Sequence, residues 1–169
     1  ASLFLAIFSI GIAIGSVAIN RMLKGQVSAR YAPACVLVMA LFVVAFFLVC
    51  RNWHVIGEGE LYNITGFVAH PDAIPLLLSL LGIAISGGMF VVPLYAFLTT
   101  FVDKSQTART VAANNIVNSG AMVGGSLLAF GLSAAGVAII TQLLLSAAMC
   151  LVSAWLGHLL VKAERAAAA

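Results

Sequence analysis

Apolar residues run along the chain in five blocks, and the polar residues collect between them. The blocks are Ala1–Ile19, Pro33–Cys50, Ile74–Val102, Val111–Leu132 and Val137–Val161, each of a length that suits a helix crossing a hydrocarbon layer of roughly 30 Å. The pattern therefore predicts five membrane-spanning helices. The third block, IPLLLSLLGIAISGGMFVVPLYAFLTTFV, carries no charge and is longer than a crossing at about 1.5 Å per residue needs, so it must tilt, bend or project. Gly82, Gly87, Gly88 and Pro93 lie inside it. Pro93 removes a backbone donor and crowds the carbonyl of Met89, and Gly87 and Gly88 just before it give a neighbour room to come close. Lipid tolerates such a break only where other helices or a wet cavity satisfy the freed carbonyl, which assigns Gly87, Gly88 and Pro93 a kink or gating role inside a bundle.

Composition agrees with this pattern. At 63% hydrophobic and 8% charged residues, with a mean hydropathy of +1.17, the 169-residue chain has too little polar surface for a water-soluble fold. It reads as an all-α integral membrane protein, with the bilayer as its surroundings. The net charge of +3 forms no stripe or face, which argues against a nucleic-acid partner. Crossing the bilayer at each block puts Arg21, Lys24, Arg30, Lys104, Arg109, Lys162 and Arg165 on one side and Arg51 on the other. The positive-inside rule makes the basic side cytoplasmic, the N-terminus external, the C-terminus cytoplasmic and the Arg51–Asp72 loop external. An odd count of spans with an outside start leads to the expectation of a piece of a longer chain: residues 1–165 as a partial half-domain with at least one helix before Ala1, and 166–169 as linker or tail. The first block lacks the basic start and cleavage site of a signal peptide.

Small residues set expectations for packing. Gly11 and Gly15 in GIAIG, and Gly120 and Gly124 in GAMVG, are four apart on one helical face, where missing side chains let backbones approach; packing within the chain is preferred to dimerisation. Cys35, Cys50 and Cys150 lie in or beside apolar blocks and read as small buried hydrophobes.

The polar constellation is Asn114, Asn115 and Asn118 in ARTVAANNIVNSGAM. Spacings of three and four bring these amides to a common side of a helix, with Met122 and Gly125 extending the strip. Two readings stay open: hydrogen bonds to neighbouring helices, each worth about 1 kcal/mol, or the lining of a cavity that meets a polar group of a substrate. Tyr95 and Gln142 are further candidates for such a lining.

Absences narrow the chemistry. Glu58, Glu60, Asp72, Asp103 and Glu164 all fall in connections or the tail, and no Lys or Arg lies mid-span, so the blocks hold no intramembrane proton-relay carboxylate. An intramembrane serine protease is a poor fit, because Ser86 in AISGG lacks a GxSG frame and His158 sits near the end of its span. A zinc site from His54, Glu58, Glu60, His70 and Asp72 fits no standard ligand spacing, and a solvated loop is the better reading. The pattern calls for no metal, no cofactor and no catalytic residue.

Two stretches carry a resemblance. GIAIGSVAINRMLKGQVSARYAP is similar to the helix-loop-helix signature of the major facilitator superfamily in its degenerate second-half form, with Arg21, Lys24 and Arg30 matching the basic cytoplasmic loop that ties helices together. GGMFVVPLYAFLTTFVDKSQTARTVAANNIVNSGAMVGG resembles more narrowly the lysophospholipid transporter branch, including forms fused to an acyltransferase and acyl-ACP synthetase. The likeness extends over nearly the whole chain. It implies that the five spans correspond to helices 8–12 of a twelve-helix transporter, whose N-terminal half is the missing partner. The implied activity is alternating access, with lysophospholipid, chiefly lysophosphatidylethanolamine, moved across the bacterial inner membrane and held between the halves. The departure is that GSVAINRMLKGQ lacks the Asp that the full loop motif carries, Asn20 standing near its place, so an acid-based latch has no residue here. Competing expectations are a transporter of another small amphiphile or drug, and a non-transporting anchor module for a fused acyltransferase.

Overall fold

The computed structural model describes residues 2–53, 64–100 and 102–167. Among these the chain is all-helical: α1 (Ser2–Leu23), α2 (Ala32–Arg51), a single short turn of helix α3 (Ile64–Val68), α4 (Ala73–Thr100), α5 (Thr107–Ala134) and α6 (Ile139–Ala167). All but α3 are long and apolar enough to cross a membrane, which gives the five expected spans. Several run further into the charged connections than the apolar blocks do. Arg21 and Arg165 lie in the last turns of α1 and α6, where a cation complements the negative end of the helix dipole. His54, Glu58 and Glu60 lie outside the described residues.

Two helix ends explain the turns. After α5, the N–H of Gly136 donates to the carbonyl of Ser133 at 3.0 Å and that of Val137 to Leu132 at 2.9 Å, the paired bonds of a Schellman cap, with Gly136 at φ +84°. The end of α1 repeats the pattern through Lys24 and Gly25, which donate to Arg21 and Asn20, but here a non-glycine residue, Lys24, takes the left-handed φ of +51°.

The packing is uneven. Extensive seams join α1 to α4, α4 to α2 and α2 to α6, whereas α5 touches α4 and α6 only sparsely. Helix α4 is the centre because it is small-sided on two faces. Towards α1, an added Cβ at Gly15 would collide with the carbonyl of Ile85, and one at Gly88 would fall 2.6 Å from the carbonyl oxygen of Ile12. Towards α2, Gly82 receives the ring of Phe42, and Gly87 faces the sulfur of Met39. In a bilayer, where lipid tails are as apolar as leucine, such close approach supplies the dispersion contacts that hold helices together. GIAIG thus packs within the chain. Its counterpart GAMVG does not: a Cβ added at Gly120 or Gly124 meets nothing within 4 Å, and α5 contains no buried residue at all. The expectation of close packing at that pair fails because short connections hold α5 to its neighbours at its ends while its glycine face turns away from them.

The α2–α6 seam is built from Val36, Ala40, Cys150 and Ala154, and Ile19, Leu23 and Cys35 form a second buried cluster beside Met89 and Phe90. Cys35 and Cys150 are buried and unpaired, as small hydrophobes would be. Helix α4 runs unbroken through the buried Pro93. At the far end, Trp53 stacks on His70 at 4.1 Å and on Phe67 at 5.6 Å, and Phe67 meets Phe4 edge-on. The buried His70 accepts a hydrogen bond at Nδ1 from the N–H of Asp72, which leads the chain into α4.

These contacts fix helix direction. Residues advance together along α1 and α4 (Gly11 by Leu81, Gly15 by Ile85) and oppositely along α2 and α6 (Pro33 by Gly157, then Val36 and Ala40 beside Ala154 and Cys150). The ends carrying Arg21, Lys24, Arg30, Lys104, Arg109, Lys162 and Arg165 therefore lie at one end of the bundle, and Arg51 lies at the other.

Candidate functional site

Between the C-terminal half of α4, the first turns of α5 and one residue of α6 lies a cavity of about 640 Å³. The loose seating of α5 creates it. On α4, Val91, Tyr95 and Leu98 recur at helical spacing and turn the same side toward the opening, on either side of the buried Pro93 in sequence. Across from them α5 presents Asn114, Asn115 and Asn118, and Leu160 closes the α6 side.

The walls are mostly apolar and the polar groups few, the composition expected of a site for an amphiphile. Several hydroxyls elsewhere in the spans bond to their own helix: Ser126 donates to the carbonyl of Met122 at 2.8 Å and Thr99 to that of Tyr95 at 3.0 Å. The three asparagines do not do so. Among the described residues none of their side-chain amides has a hydrogen-bond partner, and Asn115 and Asn118 are exposed while Asn114 is half-buried. A carboxamide carries two donors and an accepting oxygen, and leaving them unmade in an apolar setting costs about 1–3 kcal/mol per group. Such amides are set to bind water, a polar headgroup or another polar surface.

The structure brings Asn114, Asn115, Asn118 and Tyr95 together. It places Gln142 elsewhere: its amide donates to Ser133 Oγ at 2.9 Å and to the carbonyl of Val137 at 3.2 Å, clamping the α5–α6 turn, so it is absent from the cavity lining. Gly87 and Gly88 serve the seams of α4, and Pro93 is buried within α4 and is not part of the cavity lining. Arg21, Lys24 and Arg30 lie around the α1–α2 turn, where Arg30 donates to the carbonyl of Met22 at 3.5 Å and stacks over Tyr31 at 4.6 Å. Ser86 is buried in α4, and His158 is exposed near the end of α6. Leu98 and Leu160 were invisible to sequence reasoning as wall residues, because leucine facing a cavity and leucine facing lipid look alike in a span. Among the described residues no carboxylate lines the opening, and Asp103 and Glu164 are absent from its lining. No protein-family model, curated protein or solved structure matches the chain, so the cavity itself must carry the functional reading.

Proposed function

We propose that this chain is part of a membrane transporter for an amphiphile, with lysophospholipid as its substrate class and the α4–α5–α6 cavity as the surface that meets the polar part of the substrate. The observation behind this reading is the row of unpartnered amides, Asn114, Asn115 and Asn118, facing Tyr95 across an otherwise apolar opening. Neutral donors and acceptors suit a zwitterionic or glycerol-bearing headgroup, and the apolar walls suit one acyl chain. On this reading the chain is the C-terminal portion of a facilitator-type transporter, its spans standing for helices 8–12. The other half would face the open side of the cavity, and rocking of one half on the other would expose the site alternately. The basic end is cytoplasmic by the charge rule, and the bacterial inner membrane is the matching location.

The test is uptake of labelled lysophosphatidylethanolamine into spheroplasts making the intact transporter, with Asn115→Ala and Asn118→Ala. An amide that bonds the substrate is worth about 1 kcal/mol in a membrane interior, so each change lowers uptake roughly fivefold at unchanged membrane level. Unchanged uptake with both residues replaced would sink the cavity role and favour a packing or anchoring module instead.

A further inference from the structure

A second cavity, of about 420 Å³, opens at the basic end of the α2–α6 seam and shares no residue with the first. Arg30 from the α1–α2 turn and Lys162 and Arg165 from α6 converge on it, with His158 beside them and Pro33 and Ala34 of the first turn of α2 as its floor. His158, Lys162 and Arg165 follow one another at spacings of four and three, which puts them on a single face of α6. The same seam therefore gathers cations from both ends of the sequence into one place.

Their charges are not cancelled within the protein. Among the described residues none of the three cations forms an ion pair. Glu164 accepts a hydrogen bond at 3.1 Å from the N–H of Ala29, which pins the α1–α2 turn to α6, and its single negative charge leaves the group of three cations net positive. Arg30 contacts the carbonyl of Met22 at 3.5 Å and stacks over Tyr31 at 4.6 Å, which orients its guanidinium at the rim of the opening. Like charges crowded round one opening repel, and an anion entering it removes that cost. A guanidinium fork and an ammonium, both multiple donors, match the oxygens of a phosphate.

We propose that this cavity binds a phosphate-bearing anion, the headgroup of an anionic phospholipid of the leaflet at the basic end. Basic openings between transmembrane helices hold such headgroups, and nearby cations contribute about a fivefold preference apiece. The bound lipid would bridge the α1–α2 turn and α6 and so reinforce the seam that Glu164 begins. The site is independent of the transport reading, since it uses none of the residues of the first cavity.

The experiment is lipid retention by the purified full chain, read by native mass spectrometry after exchange into micelles containing equal amounts of phosphatidylglycerol and phosphatidylcholine. The native protein should retain phosphatidylglycerol preferentially. Lys162→Gln with Arg165→Gln should cut that preference about tenfold or more, with helix content and melting temperature in plain detergent unchanged, while Arg51→Gln at the opposite end should leave it intact. Inorganic phosphate supplies a second arm. Failure of millimolar phosphate to displace the lipid assigns the site to the membrane headgroup, and displacement at matched concentration assigns it to soluble phosphate; both uphold an anion site. Equal retention of the two lipids by the native chain with no binding of phosphate, or a preference untouched by the double substitution, overturns it.

Discussion

At the scale of single residues, chemically identical glycines have opposite duties in this chain. Gly15 and Gly88 let backbone carbonyls of neighbouring helices come within van der Waals reach, and any side chain there must push α1 off α4. Gly15→Leu should therefore destabilise the protein by about 1–3 kcal/mol or more, the cost of overfilling a tight contact, as measured by unfolding in mixed micelles. Gly124→Ala should cost nothing and gain up to about 1 kcal/mol from helix propensity, because open space surrounds that position. Equal losses at the two sites would contradict the packing described. The sequence displayed both glycine pairs at the same spacing, and that is why it could not tell them apart: the spacing records which face is small, while the occupant of that face is decided elsewhere in the chain.

At the scale of elements, the five spans were readable because a long uncharged run has few alternatives in a membrane protein. Their ends were less so, since Arg21 and Arg165 read as loop residues yet extend their helices. The short α3 was missed, its few residues giving no periodicity to detect, and so was the near-detachment of α5. A surface that meets lipid and one that meets another helix draw on the same apolar residues, so hydropathy could not show that Ile116 would be 73% and Phe130 74% exposed. The asparagine strip was legible as a strip, and Tyr95 as its companion, but their meeting across a cavity depended on that detachment. Wet and lipid-facing sides of α5 can be separated by chemistry. In a background free of the native cysteines, a thiol at Asn118 should react with a polar maleimide at least about tenfold faster than one at Ile116, because a thiol in hydrocarbon stays protonated and inert. Equal rates would mean that the amides face acyl chains.

For the whole molecule, the sharpest consequence is polarity. The directions of the helices put Lys24 and Lys104 at one end and Arg51 at the other, and the excess of cations at the first predicts that it faces the cytoplasm. Cysteines placed at Lys24 and Lys104 should be blocked by a membrane-impermeant reagent only in inverted vesicles, and one at Arg51 only in intact spheroplasts. Labelling of the Lys24 and Lys104 positions from opposite sides would break the parallel arrangement of α1 and α4. The α2–α6 seam also has a history in synthesis. Val36 and Ala40 leave the ribosome before Cys150 and Ala154, which cover them and emerge only after α4 and α5 have been made. Until then that flank of α2 must rest against lipid or an insertion factor, and α6 is the stave that displaces it.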